Sequence, residues 1–384
     1  MKKIVAAATA GLILAGAAFA DVSFSWKRTN IVGGTKKSAK ELNAVVRSDC
    51  LGLELSNDIA GVVFDWDIEE DTSVSKLALD SYYGWMTFGL PVGNLQVTSG
   101  KWNGRYSDRV KSDSGDLDGQ YYEAYKLGVM DGAIASDSDN LTNGKMSTVI
   151  AYTLADTLPG TLLVKAGIRA CAEPNTDDVA TVEYGKYDSK SGFVAEVGYR
   201  QEGLINVDVA IKSPKNKQTI IGAFVSPLMV ENLRATVGFT MGNYDGDKEF
   251  AFDARARYAI TEKTAVTGMF NYSSISKKLA QIDPMAHGVL IPEKITDDVN
   301  KMWTMISVNH VAGDNIRFLA TLQNTVRNFD ADDGYTLTAF TPACEIQISE
   351  KALFTAAFDM RWDGKTPYAG VGDVSLPIYV TLSL

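Results

Sequence analysis

Phe250-Ala251-Phe252-Asp253-Ala254-Arg255-Ala256-Arg257-Tyr258 is the stretch on which the fold turns. Phe250, Phe252, Ala254, Ala256 and Tyr258 recur at every second position, and Asp253, Arg255 and Arg257 occupy places between them. Successive side chains of an extended strand point to opposite faces, so this segment has one apolar and one charged face. A helix would scatter the same residues around its axis and set arginine beside phenylalanine. The stretch reads as a strand with apolar surroundings on one side and polar surroundings on the other.

The same alternation runs outward in both directions. Ala60, Val62, Phe64, Trp66 and Ile68 alternate with Gly61, Val63, Asp65 and Asp67. Leu162, Val164, Ala166 and Ile168 are set against Lys165 and Arg169, and Phe193, Ala195, Val197 and Tyr199 against Glu196 and Arg200. Ile205, Val207 and Val209 flank Asp208, Leu233, Ala235 and Val237 oppose Arg234, and Ile316, Phe318 and Ala320 oppose Arg317. Phe354, Ala356, Phe358, Met360 and Trp362 alternate with Thr355, Asp359 and Arg361. The chain offers about nineteen such segments, and a closed bacterial barrel takes an even number, so the expectation is about 18 strands within a range of 16–20. The weakest segments are 22–29, 217–226 and 301–311.

Alternation alone also describes a soluble sandwich. Three features decide for a transmembrane antiparallel β-barrel. Aromatic residues close many apolar faces, as at Trp66, Tyr199, Tyr258, Tyr272 and Trp362, where an amphipathic ring suits a membrane–water interface. Short connections at Asn57-Asp58, 261–263 and Gly313-Asp314 contrast with long polar ones near 30–42, 103–144, 273–299, 324–334 and 363–374, the asymmetry of short periplasmic turns and long extracellular loops. The chain also ends inside a strand, with Ile378, Val380, Leu382 and Leu384 on one face and Tyr379, Thr381 and Ser383 on the other.

Residues 1–20, MKKIVAAATAGLILAGAAFA, read as a cleaved signal peptide: two lysines, a short apolar core, and Ala18-Phe19-Ala20 before Asp21. Residues 21–384 are then the barrel, and removing the two lysines of the leader takes the net charge from −10 to −12. The whole chain is 384 residues with 46% hydrophobic and 22% charged content. It has no apolar run of helix-spanning length beyond the leader, and its acidity argues against nucleic acid as a partner. Cys50, Cys171 and Cys344 lie too far apart in sequence to mark a disulfide framework.

With this leader, the segment Pro91-Val92-Gly93-Asn94-Leu95-Gln96-Val97-Thr98-Ser99-Gly100-Lys101-Trp102 and the terminal strand, the chain resembles the bacterial outer-membrane porins, and loosely the porin-like outer-membrane proteins of spirochaetes. It ends in Leu384, where that family usually has an aromatic residue. The resemblance implies location in the cell outer membrane, contact with its lipid, insertion by the barrel-assembly machinery and a homotrimer. It also implies that residues 103–144 fold inward as a constriction loop.

That loop carries Arg105, Asp108, Arg109, Asp116, Asp118 and Glu123. Facing them across the lumen, the alternation places Lys165, Arg169, Arg200, Arg234, Arg255, Arg257, Arg317 and Arg361. Acidic groups on an inward loop opposite arginines on the wall would create a transverse field that orients polar solutes. A barrel of about 16–18 strands leaves an aqueous lumen, so passive diffusion of small hydrophilic solutes and ions is the expected function. The rival expectations are a surface adhesin or structural barrel with a closed lumen, and a soluble secreted β-sandwich. No catalytic site is expected: the histidines are only His287 and His310, and no Gly-x-Ser-x-Gly elbow is present. No metal or cofactor is expected either, because Ser114-Gly115-Asp116-Leu117-Asp118-Gly119 lacks the ligands of a calcium loop.

Overall fold

The computed structural model describes residues 21–33, 45–71, 74–102, 146–154, 159–169, 193–213, 218–244, 246–278, 297–328, 335–363, 374–375 and 378–383. Their strands are β1 (Asp21–Gly33), β2 (Val45–Ser56), β3 (Ala60–Asp71), β4 (Val74–Gly89), β5 (Asn94–Lys101), β6 (Met146–Leu154) and β7 (Thr161–Arg169). There follow β8 (Phe193–Gln201), β9 (Ile205–Ser213), β10 (Gln218–Pro227), β11 (Leu233–Tyr244), β12 (Asp247–Thr261), β13 (Thr264–Ile275) and β14 (Val299–Val311). The last are β15 (Ile316–Arg327), β16 (Tyr335–Ser349), β17 (Ala352–Ala357), β18 (Asp359–Asp363), β19 (Val374–Ser375) and β20 (Ile378–Ser383). Of the three weakest sequence segments, 22–29 lies in β1, 301–311 in β14 and 218–226 in β10, with 217 outside the described residues.

Each strand from β1 to β16 pairs antiparallel with the next in sequence, as in β11–β12 and β14–β15. The ring closes where β1 pairs β20, with Lys27 opposite Ser383 and Ile31 opposite Tyr379. β17 and β18 are two halves of one stave, because both pair β16 in an unbroken register. The break at Phe358 has a chemical cause. Its N–H donates to the Pro342 carbonyl at 2.9 Å, but proline has no N–H to return the bond. β19 and β20 likewise continue one register against β18 and β17. Twenty segments thus make eighteen staves, and the closed ring leaves no edge to recruit another chain.

In such a meander alternate connections lie at opposite rims. One rim has the links 57–59, 90–93, 155–160, 202–204, 228–232, 262–263, 312–315 and 350–351, all short; this is the turn rim. The other has 34–44, 102–145, 170–192, 276–298, 328–334 and 364–373, with short links at 72–73, 214–217 and 245–246. The sequence reading named no long connection between Arg169 and Phe193, and residues 170–192 lie outside the described residues. Turn chemistry is local: the Asn57 carboxamide oxygen accepts the N–H groups of Ile59 and Ala60 at 2.9 and 2.8 Å. Gly93 takes φ +85°, where its missing side chain lets the turn pass against the Thr153 carbonyl.

Residues paired across the ladder share a face. Phe193, Val197, Val209, Val237, Phe318 and Leu322 point outward and are exposed, whereas Glu196, Asp208, Asp253 and Thr321 point inward and are buried. Exposed apolar side chains repeating around a closed ring form a band far larger than a soluble monomer tolerates, and hydrocarbon is the surrounding that satisfies it. On β12 the band from Phe250 to Tyr258 rises about 20 Å at a strand tilt near 40°. Outward hydroxyls are neutralised in place, as where Ser99 meets Thr148 at 2.9 Å and Asn324 donates to Thr338 at 2.8 Å. Tyr152, Tyr199 and Tyr258 stand on the outward face near the turn rim; Tyr152 donates its hydroxyl to the Val92 carbonyl and Tyr199 to Gln201 at 2.8 Å. Trp66 and Tyr272 lie on the same face toward the other rim.

Candidate functional site: the inner wall

The inward face brings the charges together in pairs. Lys165 and Glu196 are register partners on β7 and β8, with Nζ 3.0 Å from Oε2. Arg200 on β8 reaches diagonally to Asp208 on β9 at 2.6 Å and donates also to the Val207 carbonyl at 3.1 Å. Gly198 lies beneath that reach: a Cβ there would stand 2.8 Å from Asp208 Oδ1 and 3.3 Å from Arg200 Nη1. On β12 the Arg255 Nε meets both oxygens of Asp253 at 3.0 and 3.2 Å, as residues two apart on one face can. Arg317 and Glu345 form a further cross-strand ion pair. Between the pairs lie hydroxyl bridges, Ser226 with Thr236 at 2.8 Å and Ser307 with Thr321 at 2.9 Å.

Height matters as much as pairing. Arg200, Arg234, Arg257 and Arg317 all lie within a few residues of the turn rim. Arg169 and Arg361 occupy inward register positions opposite Ser147 and Ala339. Arg105, Asp108, Arg109, Asp116, Asp118 and Glu123 lie outside the described residues.

Two apolar patches on this wall escaped the sequence reading. Met269, Trp303, Met305, Leu319, Ala343 and Ala357 form one across β13 to β17. Val149, Val194, Ala210 and Phe224 form the other across β6 to β10, and Trp102 packs against it. In β14, Trp303 and Met305 face inward while Met302, Ile306 and Val308 face outward, so the strand is apolar on both sides and shows no dominant period. The signal lay in the partners: Trp303 sits opposite Asn271 and donates its Nε1 to Gln323 at 3.2 Å. Lys301, on the same strand, is only 2% exposed.

No family model matches the chain, and no curated protein matches it by sequence. Solved structures do. OccK8 (OprE) of Pseudomonas aeruginosa aligns over 96% of this chain and 98% of its own, with a TM-score of 0.54 at 7% identity. The fold is that of the outer-membrane porins. OccAB3 of Acinetobacter baumannii covers 96% of this chain and 99% of its own, with a TM-score of 0.52 at 7% identity. An anion-selective porin from Comamonas acidovorans covers 95% of this chain and all of its own, with a TM-score of 0.50 at 10% identity. At such identities the likeness is one of architecture. In the porin fold the inner wall faces the lumen, so the ion pairs, the arginines near the turn rim and both apolar patches are lumen features.

Proposed function

We propose that the chain is exported by residues 1–20, inserts in an outer membrane with the turn rim toward the periplasm, and forms a pore through which small hydrophilic solutes and ions diffuse. The observation that carries this reading is the closed ring of eighteen staves with an apolar outer face and an inner face of ion pairs and hydroxyls. A ring of that size encloses a lumen, and a polar wall keeps water in it. The likeness to an anion-selective porin supports the same reading. Purified, refolded protein in a planar bilayer is expected to give stepwise conductance. No steps at any voltage would remove the pore and leave a barrel whose long connections do the work.

That second reading, a closed-lumen adhesin or structural barrel, is favoured by the two buried apolar patches, which leave less of the inner wall to water. The same recording separates the two.

Residues 103–144 are proposed as the constriction, with Arg105, Asp108, Arg109, Asp116, Asp118 and Glu123 opposite the wall arginines. The support is Trp102, the last described residue before them, which leaves β5 inward against the patch on β6 to β10 and lies tilted beside Tyr83, with ring centroids 5.7 Å apart. Deleting 106–140 is expected to enlarge the single-channel conductance; an unchanged value would place the segment outside the lumen.

A further inference from the structure

The links of the turn rim differ around the ring. The five that connect β2 to β3, β4 to β5, β6 to β7, β8 to β9 and β10 to β11 contain no lysine or arginine, and their charges are the acids Asp58, Asp156, Glu202 and Glu231. The three that connect β12 to β13, β14 to β15 and β16 to β17 carry Glu262-Lys263, Asp314 and Glu350-Lys351. There the large apolar side chains stop at the strand ends, at Ile260 and Ile348. In the first arc they run on into the turns, where Ile59, Leu90, Val92, Leu204, Met229 and Val230 are 39–62% exposed. The same turns spend their backbone groups on one another. The Leu90 N–H donates to the Gly93 carbonyl at 3.0 Å, that of Leu228 to Leu204 at 2.9 Å and that of Leu233 to Val230 at 3.2 Å. The Val92 carbonyl accepts the hydroxyl of Tyr152, an outward residue, so the 90–93 turn leans over the outer face of β6. Exposed apolar tips whose polar backbone is already paired lose little on leaving water, and they gain by joining the apolar band beside them.

We propose that this arc of the turn rim is a lipid anchor, its tips seated about 5–10 Å into the headgroup–acyl boundary of the adjoining leaflet. The occupant is a zwitterionic aminophospholipid surface, because tips with acids and no cations repel anionic headgroups and match an ammonium. The inference rests on the membrane-barrel part of the proposed function, which by itself leaves the turns in water. Nitroxide labels at Val92→Cys, Met229→Cys, Val237→Cys and Lys351→Cys test it, each in a chain carrying Cys50→Ala, Cys171→Ala and Cys344→Ala. All four labelled positions are exposed, so the labels displace no packed side chain. The refolded barrels are placed in vesicles of phosphatidylethanolamine and phosphatidylcholine, where oxygen concentrates in lipid and a neutral nickel chelate in water. At 92 and 229 oxygen should relax the label more than nickel does, as at 237 on the outer band, with the order reversed at 351. Tips relaxed by nickel as 351 is, with 237 dry, overturn the anchor and leave the barrel. Nickel access at 237 removes the membrane barrel itself. A label at 92 or 229 reached by neither reagent lies against protein and also overturns the lipid anchor. Replacing phosphatidylethanolamine with phosphatidylglycerol should lift the tips and raise nickel access at 92 and 229; unchanged access overturns the headgroup preference.

Discussion

Lys165→Met is expected to destabilise the folded barrel by about 3–5 kcal/mol, the cost of stripping the partner from a buried charge. The Glu196 side chain is fully buried, and the Lys165 ammonium lies 3.0 Å from it. Neither carboxylate oxygen has another aligned donor among the described residues. Asp208, two inward positions away across β8 and β9, adds repulsion that Arg200 offsets. Removing the ammonium therefore leaves a buried carboxylate without its ion-pair partner. Lys165→Met combined with Glu196→Gln should recover most of the loss, since the pair as a unit contributes far less than the charge costs when orphaned. Urea unfolding of refolded protein in detergent micelles, followed by tryptophan fluorescence, reads both variants. A single variant within about 0.5 kcal/mol of the wild type would mean that Glu196 is hydrated from the lumen.

How much of this was legible in the sequence depended on how different the two faces of a strand are. In β12 the outward set is aromatic and small apolar and the inward set is charged, so the period of two gives strand, face and lumen residues together. In β14 both faces are apolar, and only the register against Asn271 and Met269 shows that Trp303 and Met305 face inward. The number of staves was accessible because closure demands parity. The joining of β17 to β18 was legible too, since Phe354 to Trp362 alternates as one segment; the break at Phe358 was not, because it rests on Pro342 occupying the position opposite. Partner choice within the site was equally hidden. Lys165–Glu196 and Arg317–Glu345 are register pairs, whereas Arg200–Asp208 is diagonal and Arg255–Asp253 runs along one strand. Alternation ranks all four arginines and lysines alike. Only the stagger between staves sets these arrangements apart from Arg234 and Arg257, which face each other across β11 and β12.

Gly238→Leu is expected to cost about 3 kcal/mol or to prevent refolding, by overpacking the inner wall between β10 and β11. Phe224 and Gly238 are register partners, and the phenyl ring lies flat over the glycine. A Cβ at 238 would stand 2.8 Å from Phe224 Cγ and closer still to the ring carbons beyond it. The ring has nowhere to swing: Phe224 is 1% exposed and held among Val149, Val194 and Ala210. The same device recurs at Gly61, over which the Trp85 indole lies 2.6 Å from a built Cβ. Bulky inward side chains thus fit because the facing stave supplies a glycine. Gly268→Ala is the control, since a Cβ on that outward glycine meets nothing within 4 Å and should change stability by less than about 0.5 kcal/mol. Combining Gly238→Ala with Phe224→Ala should restore folding that Gly238→Ala alone impairs, because the space is shared between the two positions. Refolding yield and the urea midpoint test this, and a Gly238→Leu barrel as stable as the wild type would show the patch to be plastic. Phe224 also sits opposite Asp208, the carboxylate that holds Arg200, and Gly238 lies two inward positions from Arg234. A displaced ring should therefore change ion selectivity in any channel that still forms, through groups that the substitution does not touch.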